Sequence, residues 1–254
     1  MRRIFSLTLA ALIAGATLAG CARDKTEYDL FLLIGQSNMA GRGTMLAADT
    51  LATIEGVWLL DDHGMPVPAV NPLNRCSTVR KALAMQQIGP GYSFSQTLHR
   101  RTGRPILLVV NALGGSSLAQ WMPGTKCYDE AVRRAREAMR YGDLRAILWH
   151  QGESDSSSPD DYLDRLAVMV SSLRGDLGCH NVPFIAGEIA RWHKNAQRFN
   201  PVIGRIGSVI YRSDCVSSEG CTPLIDDSDP HFSRDGQLLL GERYAEKVME
   251  WCYE

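Results

Sequence analysis

Four segments of this sequence carry groups able to move a proton or hold a negative charge. They are Gly35-Gln36-Ser37-Asn38, Asn111-Ala112-Leu113-Gly114-Gly115-Ser116-Ser117, His150-Gln151-Gly152-Glu153-Ser154-Asp155 and Asp226-Asp227-Ser228-Asp229-Pro230-His231-Phe232. A serine hydroxyl becomes a useful nucleophile when a base, usually histidine oriented by a carboxylate, takes its proton. The oxyanion that forms on the attacked carbonyl needs donors already in place, commonly backbone N–H groups of glycine-rich turns. On that chemistry Ser37 is the candidate nucleophile and His231 the candidate base. Gly115 offers an N–H that no side chain shields, and Gln151 offers a side-chain amide. Each has a plainer reading when taken singly. Ser37 and Asn38 would hold a turn by bonding backbone, and His231 would be an ordinary loop histidine. The Gly-x-Ser-x-Gly elbow is absent, because Met39 stands where its second glycine would be.

The elements that must position these residues are legible as apolar runs. Leu30–Ile34, Val57–Leu60, Ile106–Val110, Ala146–Trp149 and Val182–Ala186 read as strands. The runs ILLVV and AILW are apolar throughout, as strands covered on both faces of a parallel sheet are. Helical patterns lie between and after them, over Tyr92–Arg101, Tyr128–Tyr141, Pro159–Leu173 and Gln237–Trp251. The third opens on Ser-Pro-Asp-Asp and is expected to stop at Gly175. Strands alternating with helices predict an α/β domain with a mostly parallel sheet. Ligands of such sheets bind at the carboxyl ends of the strands. Three of the four polar segments directly follow a strand-like run, so they converge on one edge. Residues 61–91 hold several Pro and Gly and little periodicity, and are expected to form a long surface insertion.

GQSNMAGRG, NALGGSS, WHQGESD and a late His followed by a helix together resemble the SGNH-type hydrolases. Within that group they are most similar to the sialate O-acetylesterase-like domain and the acetylxylan esterases of carbohydrate esterase family 6. The resemblance runs from about Leu30 to the last helix. It implies a flavodoxin-like three-layer α/β/α sandwich and a Ser–His hydrolase that removes acetyl groups from carbohydrate hydroxyls. It assigns the nucleophile to Ser37 and the base to His231, with oxyanion donors from the Ser37 backbone, Gly115 and Gln151. One position departs from the pattern. The family has Asp three residues before the catalytic His, and here that residue is Ser228. Asp229, Asp227 and Glu153 of HQGE remain open as the triad acid. Two rivals keep the scaffold: an esterase for another acyl group, and a glycan-binding protein without turnover, which the missing Asp motivates.

The 254 residues are 45% hydrophobic and 22% charged, enough for one large domain with a sizeable core. A net charge of −1 without a basic patch argues against nucleic acid as a partner. No metal site is expected, because His150 and Glu153 alone do not make one and HExxH is absent. Gly114-Gly115 lacks the Lys and Ser/Thr of a phosphate loop, and the proposed chemistry requires no cofactor. Trp149 reads as core. Trp121 is either core or a platform for a sugar. Arg42 is expected to bond carbonyls near the site.

The N-terminus has its own logic. Met1-Arg2-Arg3 precedes an apolar stretch, Ile4 to Leu18, that is too short to span a bilayer and fits a secretory signal. Leu18-Ala19-Gly20-Cys21 resembles the lipobox of bacterial lipoproteins, which implies cleavage before Cys21 and its acylation. Residues 1–21 would then be the lipoprotein signal peptide together with its lipobox Cys21, 22–27 a tether and 28–254 one hydrolase domain, exported and held to a periplasmic or surface membrane only by the lipid on Cys21. The other six cysteines form an even set. In an exported chain this predicts disulfides, with Cys215 and Cys221 the easiest pair to bring together and Cys76 a staple for the insertion.

Overall fold

A computed structural model describes residues 28–254. Cys21, the signal segment and the tether lie outside the described residues. Seven strands form one sheet: β1 (Tyr28–Gly35), β2 (Val57–Leu60), β3 (Pro66–Pro68), β4 (Ile106–Val110), β5 (Gly142–His150), β6 (Phe184–Gly187) and β7 (Ser213–Val216). Their order is β3-β2-β4-β1-β5-β6-β7, and every neighbouring pair is parallel except β2 with β3. The central strand β1 is buried at all eight positions because the chain covers both of its faces. Leu30, Leu32 and Ile34 enter one core with Ile147 and Trp149, while Phe31 and Leu33 enter the opposite core with Leu108 and Leu148. The period-two alternation of side chains across a strand sends an unbroken apolar run into two separate layers.

The helices fill those layers. On one face lie α4 (Lys126–Ala138), α5 (Tyr162–Leu177), α6 (Ala196–Ile203) and α7 (Ile206–Val209). On the other lie α3 (Gly91–Thr102) and α8 (Arg234–Cys252), which pack on each other. Two short helices, α1 (Ser37–Ala40) and α2 (Ala47–Leu51), follow β1. The hydroxyl of Ser233 starts α8 by accepting from Gly236 N at 3.1 Å, a side-chain cap for an otherwise orphaned N–H. The three-layer α/β/α sandwich expected of this sequence is therefore present. α5 runs past Gly175 and stops at Gly178.

Several expectations are corrected. Residues 61–91 are no surface insertion. Their β3 pairs with β2, and Ala69, Asn71, Leu73, Asn74, Gln86 and Ile88 are buried. Polar side chains do the anchoring. Asn74 accepts from Ala112 N at 3.0 Å and donates to Gln86 Oε1 at 2.8 Å, which ties the segment to the end of β4. Hydrophobic periodicity cannot reveal a segment held that way. The strand β7 and the helices α6 and α7 also escaped the apolar pattern. The expected disulfides are not formed: Cys76, Cys127, Cys179, Cys215, Cys221 and Cys252 are free thiols. Cys215 packs into one core layer and Cys221 into the other, so the pair closest in sequence is separated by the sheet. Trp121 is 1% exposed, stacks edge-on against Trp149 and donates to Ser116 Oγ, so it belongs to the core and is not a sugar platform.

Gly35 joins the sheet to the first polar turn. Its φ is +136°, and a Cβ built there would lie 2.2 Å from His150 O on the adjoining strand. Neither backbone can retreat without breaking the β1–β5 pairing. Gly35→Ala is expected to destabilise the protein by about 3 kcal/mol or more, the range of buried backbone strain combined with overpacking. Urea unfolding followed by tryptophan fluorescence checks it, and a midpoint equal to the parent's would refute the steric argument.

Candidate active site

Four loops meet at the carboxyl edge of β1, β4, β5 and the segment before α8. Ser37 is the first residue of α1, two residues beyond β1, and its residue exposure is only 5%. His231 Nε2 lies 3.0 Å from Ser37 Oγ. His231 Nδ1 lies 2.6 Å from Asp229 Oδ1, and the same oxygen accepts the backbone N–H of His231 at 2.9 Å. With Nδ1–H donating to the carboxylate, the Nε2 lone pair faces the serine hydroxyl. That is the tautomer a general base needs.

The acidic loop explains how Asp229 reaches the ring from only two residues away. Asp226 Oδ1 accepts from Ser228 N at 2.8 Å and from Ser228 Oγ at 2.6 Å, and Asp226 O accepts from Asp229 N at 3.0 Å. This is a side-chain-stabilised turn of the kind Asp forms with backbone two residues on. It turns Ser228 towards Asp226 and leaves Asp229 on the imidazole. Asp227 is exposed. Trp192 Nε1 donates to Asp229 O at 2.7 Å and holds the turn from the β6 side. Burial pulls the His231 pKa below its ordinary 6.5 more strongly than the charge and hydrogen bond of Asp229 raise it, and Arg42 lowers it further.

Asn38, fully buried beside the nucleophile, ties both flanks of His231. Its Nδ2 donates to Pro230 O at 3.1 Å, and its Oδ1 accepts from Phe232 N at 3.2 Å. The same Nδ2 donates to Glu153 Oε1 at 2.6 Å. Glu153 therefore sits on Asn38, while Asp229 sits on the histidine. Burial pushes the Glu153 carboxyl up to about 7, against the hydrogen bonds that lower it.

Two further residues have placements their types did not reveal. Gln151 is fully buried, and its Nε2 lies within bonding reach of Gln36 Oε1, Ser116 O and Asp155 Oδ2 at 3.1, 3.1 and 2.6 Å. Its Oε1 accepts from Tyr162 OH at 2.7 Å. The amide braces three of the loops and has no proton left for a substrate oxygen. Gly114, next to the singled-out Gly115, is the glycine against the nucleophile. A Cβ there would stand 3.8 Å from Ser37 Cβ and 2.6 Å from Arg42 Nη2, whereas one on Gly115 would face Lys81 Nζ at 3.4 Å. No hydrogen bond among the described residues takes up the N–H of Ser37, Gly114 or Gly115. Arg42 Nη1 donates to Gly41 O and Met85 O.

His150 underlies the site without joining it. It is fully buried, and desolvation pushes its pKa down to about 3. Tyr244 OH gives its proton to Trp149 O at 2.8 Å and so accepts from His150 Nδ1 at 3.1 Å. The signal for Gln36, Asp155 and Tyr162 as bracing residues was weak, because only tertiary structure brings them to Gln151.

A serine, an imidazole and a carboxylate in one hydrogen-bonded line, at the carboxyl edge of a mostly parallel sheet, define an α/β sandwich with a hydrolase-like site. The comparisons with known proteins narrow this. Residues 27–250 match the family described as carbohydrate esterase, sialic acid-specific acetylesterase, and the chain belongs to that family. An Arabidopsis thaliana protein named "Probable carbohydrate esterase At4g34215" is 28% identical over 241 residues, covering 87% of this chain and 90% of that one. The solved structure of the Arabidopsis protein superposes with a TM-score of 0.79 at 25% identity, over 89% of this chain and all of that one. A carbohydrate acetylesterase from Xanthomonas citri shares the fold, with a TM-score of 0.63 at 15% identity over 89% of this chain and 57% of its own.

Proposed function

We propose that this member of the carbohydrate esterase family is a serine O-acetylesterase that removes acetyl groups from carbohydrate hydroxyls. The observation that carries the reading is the continuous line Ser37 Oγ–His231 Nε2, His231 Nδ1–Asp229 Oδ1, at 3.0 and 2.6 Å. Ser37 Oγ attacks the acetyl carbonyl as His231 takes its proton. The free N–H groups of Ser37 and Gly114, with Gly115 beside them, receive the oxyanion. His231 then protonates the sugar oxygen as the C–O bond breaks, leaving acetyl on Ser37. Water attacks that ester, His231 accepts the water's proton and returns one to Ser37, and acetate departs. Asp229 keeps the ring oriented and steadies the transient imidazolium.

The family's description supports an acetylated carbohydrate as substrate. Acetylated xylan and O-acetylated sialic acid are the two classes to compare. The leader Met1–Cys21 supports an exported lipoprotein held at a periplasmic or surface membrane by acylated Cys21. The rival reading of a glycan binder without turnover drew on the absent carboxylate at 228, and Asp229 at the imidazole weakens that motive. The test is acetate release by residues 22–254 from both substrates. Release from either supports the reading and identifies the sugar class. A folded protein inert on both refutes the acetylesterase for these substrates.

A further inference from the structure

The second carboxylate of the site, Glu153, is not needed for the Ser–His–Asp line, yet its surroundings are specific. One oxygen takes the Asn38 amide at 2.6 Å and the other is buried with no partner. A side-chain amide can face either way, and its neighbours decide which. Asn38 has two acceptors on one side, Glu153 Oε1 and Pro230 O, and two donors on the other, Phe232 N and Gln237 Nε2. Turned over, its oxygen would face two oxygens and its NH2 would face two N–H groups. The orientation shown is the only one that satisfies all four. Pro230 and Phe232 flank His231, so this amide sets the height of the imidazole over Ser37.

We infer that Glu153 is a positioning residue that acts through Asn38, holding the loop on both sides of His231 in register with Ser37. It needs an acceptor oxygen at this place and no charge, which a neutral carboxyl supplies as well as a carboxylate does. The inference rests on the Ser–His reading above and deepens it. It separates Glu153 from the role of triad acid, whose function requires ionisation.

The test compares Glu153→Ala with Glu153→Gln in residues 22–254, the chain without its leader and lipidated cysteine. Two readouts are used: the kcat and KM of acetate release, and the rate at which a fluorophosphonate labels Ser37. Labelling needs a working serine and histidine but no acetylated sugar. Glu153→Ala is expected to lose about 100-fold in kcat and in labelling rate with little change in KM, the scale of a misplacement near 1 Å. Glu153→Gln keeps an amide oxygen for Asn38 Nδ2 and recovers most of that loss. Glu153→Gln as impaired as Glu153→Ala, or Glu153→Ala equal to the parent, overturns the proposal. If Glu153→Ala does not fold, Glu153→Gln decides alone: near-parent labelling supports the role and loss refutes it. A parent that labels but releases no acetate refutes the substrate and leaves this comparison intact on the labelling readout. A parent that neither labels nor releases acetate overturns both.

Discussion

Ser37→Ala is expected to reduce acetate release to the background of the assay, a loss of about 10,000-fold or more, while the protein keeps its fold and its affinity for the sugar. The size follows from the role. Without a nucleophile there is no acyl-enzyme, and what remains is the oxyanion donors and binding alone. The fold should survive because Ser37 Oγ has one hydrogen-bond partner among the described residues, His231, and only a hydroxyl is removed. Fluorophosphonate labelling should vanish with activity, and the unfolding free energy from urea titration should stay within about 1 kcal/mol of the parent's, the usual span for losing one hydrogen bond. A Ser37→Ala protein with appreciable turnover would move the chemistry to another group.

Asp229→Asn should cut kcat/KM by about 10,000-fold, because asparagine can hold the imidazole in the wrong tautomer and cannot steady its positive form. The accompanying shift in pH dependence identifies the cause. The base works when neutral, so kcat/KM is expected to be flat at higher pH and to fall as acid protonates His231. Burial sets that pKa below 6.5, and the acidic limb of the parent should have its midpoint there. Asp229 is a raising influence on the ring. Its removal should move the midpoint lower still while the plateau drops. The check is a pH profile of both proteins from 4 to 9. A midpoint that rises, or a plateau within about tenfold of the parent's, would mean that another carboxylate serves the histidine.

Much of the fold was legible in the chain. The runs at Leu30–Ile34, Ile106–Val110 and Ala146–Trp149 are apolar at every position, as a strand covered on both faces is. Residues 61–91 were not legible. Asn74 anchors them through buried polar bonds to Ala112, just past β4, and Gln86 accepts from Asn74 in turn; no hydrophobic period marks such bonds. The even cysteine count pointed to disulfides, but counting says nothing about which side of the sheet a thiol faces.

The site divides the same way. Sequence by itself singled out Ser37, His231, Gly115 and the three carboxylates, because residue type and order along the chain are local properties. It could not decide which carboxylate meets the imidazole. That depends on the Asp226 turn, which brings Asp229 round to His231, and on the distance across the sheet edge, which delivers Glu153 to Asn38. Nor could it tell that the Gln151 amide is already spent on Gln36, Ser116 and Asp155. Chemical capacity is written in a side chain, whereas its partner is chosen by how the loops at the sheet edge turn and where they meet, and only the tertiary structure makes that choice.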